Sequence, residues 1–333
     1  MTRWLALALA GAALAGPSAV PAAGQVQITE WTVPWADSRP RDPYVAPDGR
    51  VWFVGQAGNY VAVLDPGTGQ FRRYEIDAGT HPHNLIVAPD GKVWYAGNRN
   101  GMIGRLDPKD GSITRFPMPD AIRDPHTLVF DGRGHIWFTA QQSNYVGRLD
   151  LASGEVRPIS IETPNARPYG IKLDSKGTVW VDLFGVNRIA RIDPATFAVR
   201  EYQLPEARAR PRRMAITSDD MIWYVDYSRG YLGRLDPASG AVKEWANPGG
   251  ARSLPYGMAV DDQDRLWFVE TGLRPNRLVG FDPKTEKFIG LTPIEPSGGL
   301  TVRHMYFHRP TGLLWFGTDA NTIGAAKVGA GAI

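Results

Sequence analysis

Histidine is scarce in this chain of 333 residues, yet two of the six histidines stand two positions apart in HPHNLIVAPDGKVWYAGNRNGMIGRLDP, residues 81–108. Neutral imidazole can accept a proton or bind a divalent cation near pH 7. Four histidines precede or begin a short apolar run: His81, His83, His126 and His304. Their shared position predicts a shared site, provided that the fold brings these runs together.

Acidic, basic and aromatic side chains recur beside the same runs. The carboxylates follow tryptophan-containing segments, whereas the arginines and tyrosines precede or begin the apolar runs. The candidates are Asp182, Asp226, Glu270 and Asp319, with Arg212 and Arg303, and with Tyr44, Tyr169 and Tyr256. Carboxylates near imidazoles could complete an oxygen-rich site for Mg²⁺ or Ca²⁺. No linear metal-binding motif is present, so such a site depends on the fold.

A repeat close to 43 residues long organises the chain. It is marked by Trp52, Trp94, Trp137, Trp180, Trp223, Trp267 and Trp315, which are 42, 43, 43, 43, 44 and 48 residues apart. Each tryptophan lies in a short run such as VWFV, and most of these runs are followed by one of the IGRLDP type. Short aromatic and β-branched runs between Gly, Pro and Asp turns are typical of strands, here four per repeat. Seven such repeats predict a seven-bladed β-propeller, since an open β-solenoid has shorter repeats.

The two ends of the chain complement each other. The last repeat ends after three strand-like runs, and the segment ITEWTVP at 28–34 matches the outer-strand pattern of REYQLP at 200–205. We therefore expect the N-terminal strand to complete the seventh blade, within one domain spanning 24–333. This pairing removes the two free edges of the ring.

The alternation of strand direction places the candidate residues on one face. In an antiparallel blade, the loop into the innermost strand and the segment after the second strand lie on the same side. Recurrent prolines, tryptophans and IGRLDP aspartates indicate structural roles, because a single site has no use for seven copies. The residue near the start of the inner strand varies from blade to blade instead. The equivalent residues in the seven blades are aligned as Tyr44, His83, His126, Tyr169, Arg212, Tyr256 and His304.

Composition and the N-terminus indicate where the protein is located and which partners it can bind. Residues 1–23 combine an early arginine, an apolar stretch and a small-residue exit, which is typical of a secretory signal peptide; a retained N-terminal anchor is the alternative. We expect a periplasmic or secreted protein with no membrane span in its mature chain. The net charge of +3 forms no basic block, which argues against a nucleic-acid partner. We also expect a monomer whose partner is a small molecule or cyclic peptide.

Three segments carry a family resemblance: PYGIKLDSKGTVWVD at 168–182, PYGMAVDDQDRLWFVE at 255–270 and SNYVGRLD at 143–150. They resemble the virginiamycin B lyase, or streptogramin lyase, family. The resemblance implies a seven-bladed propeller that opens a cyclic depsipeptide at its ester by elimination, with Mg²⁺ as cofactor. Elimination needs a base for a carbon-bound proton and a cation that stabilises the developing enolate.

The resemblance also implies roles for individual residues. His304 matches the histidine of the last blade and is the implied general base. Asp319 matches an acidic position and, with Glu270 nearby, is the implied metal ligand. Tyr256 and Arg303 would orient the substrate or act as acid. The chain departs from the family at two positions, with Tyr256 replacing a histidine and Val302 replacing a glutamate.

Two hypotheses follow. The first is an exported, divalent-metal-dependent lyase of the streptogramin type. The second is a non-catalytic exported propeller that binds a ligand or a protein on the same face. The expected substrate-binding residues are His81, His83, His126, Tyr44, Tyr169, Arg212, Asp182 and Asp226. A calcium-dependent propeller lactonase is a third option, but the chain has no clear set of three carboxylates for it.

Overall fold

Short runs of aromatic and β-branched residues form twenty-eight strands in the computed structural model, which describes residues 24–329. The strands make seven four-stranded sheets, and each neighbouring pair of strands is antiparallel. One short 3₁₀ helix occupies Gly250–Arg252. No helix within 24–329 has the length and apolar character needed to cross a membrane. The predicted signal peptide, residues 1–23, lies outside the described residues.

Each sheet is a propeller blade with four strand positions. The innermost strands are β2 (Pro40–Val45), β6 (Pro82–Val87), β10 (Pro125–Phe130), β14 (Pro168–Leu173), β18 (Pro211–Ile216), β22 (Pro255–Val260) and β26 (Val302–His308). The second strands are β3 (Val51–Gly55), β7 (Val93–Gly97), β11 (His135–Ala140), β15 (Val179–Leu183), β19 (Ile222–Asp226), β23 (Leu266–Glu270) and β27 (Leu313–Thr318). The third strands are β4 (Tyr60–Asp65), β8 (Met102–Leu106), β12 (Tyr145–Asp150), β16 (Arg188–Ile192), β20 (Tyr231–Leu235), β24 (Arg277–Asp282) and β28 (Thr322–Lys327). The outer strands are β5 (Gln70–Glu75), β9 (Ile113–Pro117), β13 (Val156–Ser160), β17 (Val199–Gln203), β21 (Val242–Ala246), β25 (Lys287–Pro293) and β1 (Ile28–Thr32).

The N-terminal strand closes the ring, as the sequence predicted. Strand β1 pairs with β28 in the seventh blade, from Ile28 opposite Ala326 to Thr32 opposite Thr322. The Glu30 carboxylate accepts hydrogen bonds from the Ser297 hydroxyl and backbone N–H, at 2.5 and 3.1 Å. The same carboxylate ties β1 to the loop before the last blade, so the first and last parts of the chain stabilise each other.

The repeated tryptophans form the core between blades, which confirms their predicted structural role. All seven are 0–3% exposed. Several donate their indole N–H to an aspartate of the preceding turn; Trp180 donates to Asp174 at 3.0 Å and Trp267 donates to Asp261 at 2.9 Å. These bonds satisfy a polar atom that burial would otherwise leave without a partner.

The glycine of the IGRLDP runs has a packing reason. A Cβ at Gly233 would lie 2.1 Å from the ring of Tyr224 on the neighbouring strand, so a larger residue does not fit there. The aspartate that ends these runs organises the following turn, since the Asp193 carboxylate accepts the backbone N–H groups of Ala195 and Thr196 at 2.9 Å. This confirms the turn role predicted for that aspartate.

Candidate functional site

The inner strands share one register, which decides which side chains meet at the end of the axial channel where these strands begin. We call this end the mouth. The first residue of each inner strand lies opposite the last residue of the second strand. A β-bulge follows directly in six blades and one residue later in β2. The second residue of each inner strand forms the mouth ring: Arg41, His83, His126, Tyr169, Arg212, Tyr256 and Arg303.

This register corrects the sequence alignment in two blades. Arg41 occupies the ring position assigned to Tyr44, and Arg303 occupies the position assigned to His304. Tyr44 lies three residues deeper, against Tyr306, with their ring centroids 4.3 Å apart. The alignment was wrong because the first blade has a second proline at position 43 and the last blade has a valine where the others begin with proline. The family-implied base, His304, therefore lies one layer below the mouth ring.

Three of the four predicted histidines do come together at the mouth. The rings of His81 and His83 lie 5.4 Å apart, and those of His83 and His126 lie 4.7 Å apart. His126 in turn lies 4.4 Å from the ring of Tyr169. The Gln56 amide N–H₂ hydrogen bonds to the His83 ring at 3.0 Å. These side chains form a continuous arch along one side of the mouth.

The arch is uncharged at neutral pH. Burial lowers the pKa of His83 and of His126 well below the usual value, and the Arg41 guanidinium adds to the shift in both. Burial, with Arg99 and Arg41, lowers the pKa of His81 to about 4. The histidines are therefore weak bases that present neutral rings to a ligand.

A pair of tyrosines continues the arch, since Tyr169 contacts both His126 and Tyr256. The hydroxyl groups of Tyr169 and Tyr256 contact each other, although the two side chains belong to different blades. The guanidinium carbon of Arg212 lies 3.6 Å from the centre of the Tyr256 ring and 4.2 Å from that of Tyr227. Arg212 is further enclosed by Phe184 at 4.6 Å. An arginine surrounded by aromatic faces is stabilised by cation–π attraction.

The two tyrosine pKa values differ, because the charge of one hydroxyl opposes ionisation of the other. Burial by itself raises the pKa of Tyr169, but the charges of Arg212, Arg213 and Arg41 outweigh it and lower the value to about 8. Burial and the charge of Tyr169 raise the pKa of Tyr256 to about 12. One hydroxyl of the pair therefore loses its proton much more readily than the other, an arrangement that suits general base chemistry.

Below the ring, an arginine closes the channel. Arg213 is 3% exposed and spans the axis, with Nη1 donating to the Thr127 hydroxyl at 3.0 Å and Nε donating to the Arg303 carbonyl at 3.0 Å. Its Nη2 lies 3.6 Å from Asp42. Asp42 also accepts from Arg41 at 2.9 Å, and the pKa of Asp42 stays well below its usual value because these charges outweigh burial. Sequence reasoning missed Arg41 and Asp42, although the RDP triplet at 41–43 was a usable signal.

The four predicted carboxylates do not converge. Asp319 reaches the mouth rim, where both of its oxygens bind the Arg303 guanidinium, one at 2.7 Å. Glu270 points away from the channel and binds Arg277 at 2.7 Å and the Gly249 N–H at 2.6 Å. Asp226 accepts from the Arg210 N–H at 3.0 Å and from Arg229 at 3.0 Å.

Asp182 is fully buried, and no hydrogen-bond partner is found for it among residues 24–329. Burial raises its pKa well above the usual value, which favours the neutral form. The direct ligand contacts predicted for Asp182 and Asp226 therefore do not fit their burial. Side chains alternate along a strand, so Asp226 at the end of β19 points away from the face on which Tyr227 lies. Phe184 and Tyr227 reach the mouth and contact Arg212. Asp182 lies two residues before Phe184, and its complete burial removes it from ligand contact.

The mouth does not fit a divalent cation. Within residues 24–329, no group of three or more His, Asp or Glu side chains is arranged to hold a metal ion. Asp319 and Glu270, the predicted ligands, are both engaged by arginines, and the ring itself carries Arg41, Arg212 and Arg303. The two carboxylates therefore already have arginine counter-charges, and the arginines of the mouth ring disfavour a further cation. The Mg²⁺ cofactor stays a prediction.

The fold and the mouth define a class, a seven-bladed β-propeller with a polar cluster where its inner strands begin. The model of the virginiamycin B lyase family matches residues 76–329, and the chain belongs to this family. A search by sequence against curated proteins found no match.

Solved structures show the same fold. A streptogramin B lyase structure is 24% identical, with a TM-score of 0.82, over 91% of this chain and 98% of that one. A catalytically inactive histidine-to-alanine variant of virginiamycin B lyase from Staphylococcus aureus, with quinupristin, is 23% identical, with a TM-score of 0.82 over 91% and 99%. Hydrazine synthase from Kuenenia stuttgartiensis is 15% identical, with a TM-score of 0.73 over 88% and 96%. At these identities the likeness establishes a shared fold.

Proposed function

We propose that this protein is an exported lyase that breaks a carbon–oxygen bond of a cyclic ester or depsipeptide by elimination at the mouth. The observation that carries the proposal is the hydroxyl contact between Tyr169 and Tyr256 beside three arginines. Membership of the virginiamycin B lyase family supports the reaction class. The early arginine, apolar stretch and small-residue exit of residues 1–23 support export.

The proposed step starts at Tyr169. Its phenolate removes a proton from the carbon next to a substrate carbonyl, and the electron pair forms a carbon–carbon double bond. The bond from the neighbouring carbon to the ester oxygen breaks, and the ester leaves as a carboxylate. Arg212 stabilises the negative charge that develops on the carbonyl oxygen. Tyr256 keeps its proton and holds the Tyr169 oxygen in place through the hydroxyl contact.

The rim positions the substrate in this scheme. Arg303, fixed by Asp319, binds the carboxylate that leaves. The neutral rings of His81, His83 and His126 support the apolar part of the ligand. Because Tyr169 and Tyr256 are only 4% and 2% exposed, Arg212 must swing away from the Tyr256 ring before a substrate reaches the hydroxyls.

A product assay tests the proposal. Residues 24–333 are incubated with quinupristin and a panel of macrocyclic lactones in the presence of EDTA, and products are analysed by mass spectrometry. Elimination opens a ring without a change of mass, whereas hydrolysis adds one water. We expect a ring-opened product of unchanged mass, lost by at least a hundredfold in Tyr169→Phe and retained in Tyr145→Phe, which lies on β12 away from the mouth.

Two results would overturn the proposal. A product that carries an added water shows a hydrolase, and full turnover by Tyr169→Phe shows that the base is another group. Activity that appears only with Mg²⁺ would restore the metal prediction in place of the arginine-based scheme.

Ligand binding without turnover is the second candidate. The low exposure of Tyr169 and Tyr256 favours it, since a pure binding site needs only the rim groups. It predicts saturable binding of a cyclic peptide with no product, weakened by His83→Ala and unchanged by Tyr169→Phe.

A further inference from the structure

The opposite end of the axial channel opens as a cavity on the face formed by the short turns. The cavity measures about 650 Å³, and its wall is mostly apolar, with Val45, Val87, Phe130 and Leu151 among the lining residues. Two adjoining cavities of about 220 and 210 Å³ extend it toward the channel centre and share Tyr306 with it. A volume of this size suits a small-molecule ligand.

A lysine lies at the inner end of this space. Lys172 is the fifth residue of β14 and lines both inner cavities. No hydrogen-bond or ion-pair partner is found for its ammonium among residues 24–329. Burial, with the charge of Arg213 added, lowers its pKa to about 8. Lys172 is partly buried, and its ammonium faces the cavities without a counter-charge among the residues that line them.

The residues that line the cavities around Lys172 supply no negative charge. The Asp42 carboxylate acts on His304 from outside the lining, and Arg41 and Arg213 neutralise it. Arg213 faces Lys172 from β18, His304 and Tyr306 from β26, and Tyr44 from β2. No aspartate or glutamate is among the described residues that line the three cavities. His304 adds a second free polar atom, because its buried Nδ1 has no hydrogen-bond partner among residues 24–329.

We propose that this turn-face cavity binds an amphipathic monocarboxylic acid. The carboxylate contacts Lys172 and the His304 ring, and the apolar tail lies along the wall toward the turns. The carboxylate provides a counter-charge for the ammonium, while the tail buries apolar surface against the wall. A ligand with no apolar part, such as inorganic phosphate, can pair with the lysine but gains nothing from the apolar wall.

This site is separate from the proposed lyase site. Arg213, with its bonds to Thr127 and the Arg303 carbonyl, closes the channel between the mouth and Lys172. Binding on the turn face therefore needs no residue of the tyrosine pair, and a failure of the lyase proposal leaves this one standing.

Titration calorimetry with decanoate at pH 8 tests the proposal. We expect saturable binding of one decanoate per chain, at least tenfold weaker in Lys172→Met and unchanged in Lys176→Met, a matched lysine that is exposed on the neighbouring turn. Decanol and inorganic phosphate should bind at least tenfold more weakly than decanoate.

A measurement on the unaltered protein covers the case in which Lys172→Met fails to fold. Decanoate binding should take up part of a proton from the buffer at pH 8, because the carboxylate raises the pKa of Lys172, and decanol should take up none. Equal affinity of decanoate for the wild type and a folded Lys172→Met would overturn the proposal. So would an absence of saturable decanoate binding up to about 1 mM, or binding without proton uptake.

Discussion

At the residue scale, burial decides the chemistry of the mouth more than residue type does. His83 and His126 have the right side chains for acid–base work, yet burial and neighbouring arginines keep them neutral and weakly basic. The same arginines have the opposite effect on Tyr169, because its charged form is an anion. A tyrosine therefore becomes a better candidate base than a histidine in this setting.

The Tyr169–Tyr256 pair gives a direct titration. The pair should release its first proton near pH 8, followed by near-ultraviolet difference absorption. Because the folded pKa lies below that of a free tyrosine near 10, ionisation adds stability as the pH rises from about 8 to 10. Arg212→Gln should raise the pKa of this first ionisation by about one unit. Arg210→Gln is the matched control and should leave that pKa unchanged. No tyrosine ionising below pH 9 would contradict the assignment.

Asp182 gives a stability test of opposite sign. Its folded pKa is raised, so its stability contribution is complete below the unfolded value near 4 and is lost as the pH rises toward the folded value. Asp182→Asn removes this loss and should raise stability at pH 7, by about 1.4 kcal/mol for each unit of pKa shift removed. Urea unfolding at pH 5 and pH 7 measures the difference.

An exposed aspartate provides the control for that test. Asp193 accepts backbone N–H bonds from the turn of its blade, which lower its pKa, so Asp193→Asn should lose stability at pH 7 instead of gaining it. If Asp182→Asn destabilises the protein equally at both pH values, Asp182 has a partner that holds it ionised.

At the element scale, the β-bulge at the start of each inner strand determines which side chains face the channel. A shift of one residue exchanges the two faces of a strand. The exchange therefore places Arg303 at the rim and its neighbour His304 beside Lys172. The same rule explains why Asp226 and Glu270, the last residues of their strands, pack away from the mouth, while Tyr227 reaches it.

The closing strand allows a matched comparison of two tryptophans. Trp31 on β1 stacks on Trp315 with centroids 5.5 Å apart, and Trp245 on β21 stacks on Trp223 at 5.3 Å. Both lie on outer strands, but only β1 joins the two ends of the chain. Either truncation should lower the free energy of unfolding in urea by about 2–3 kcal/mol. Trp31→Ala should lower it by about 1 kcal/mol more than Trp245→Ala. Equal losses would show that ring closure adds nothing at this position.

At the scale of the whole molecule, the channel has two chemically different ends. The mouth concentrates arginines, histidines and tyrosines over a closed floor, whereas the turn face opens into an apolar cavity with one lysine. Propeller folds support many unrelated activities, so the two ends can serve different ligands. The arginines at the mouth disfavour a cation and favour an anionic ligand or transition state.

Thermal unfolding with metal tests this electrostatic picture. After EDTA treatment, 1 mM Mg²⁺ should leave the unfolding midpoint within about 1 °C, since the carboxylates of Asp319 and Glu270 are held by Arg303 and Arg277. Arg303→Ala frees Asp319 and serves as the comparison. A midpoint that rises by several degrees in the wild type would show that Mg²⁺ displaces the arginines and would support the metal prediction.

The sequence by itself determined the seven blades, the tryptophan core, the turn aspartates and the closure by β1. These features repeat or pair through local patterns, and hydrophobic periodicity with turn chemistry is readable from the chain. It also located the mouth and brought His81, His83, His126, Tyr169 and Tyr256 to one place. Only the tertiary structure decided that Arg41 and Arg303 complete the ring, that Asp182 is buried, and that Lys172 faces a cavity on the far side. Bulges, side-chain alternation and desolvation set those outcomes, and all three depend on neighbours from distant blades.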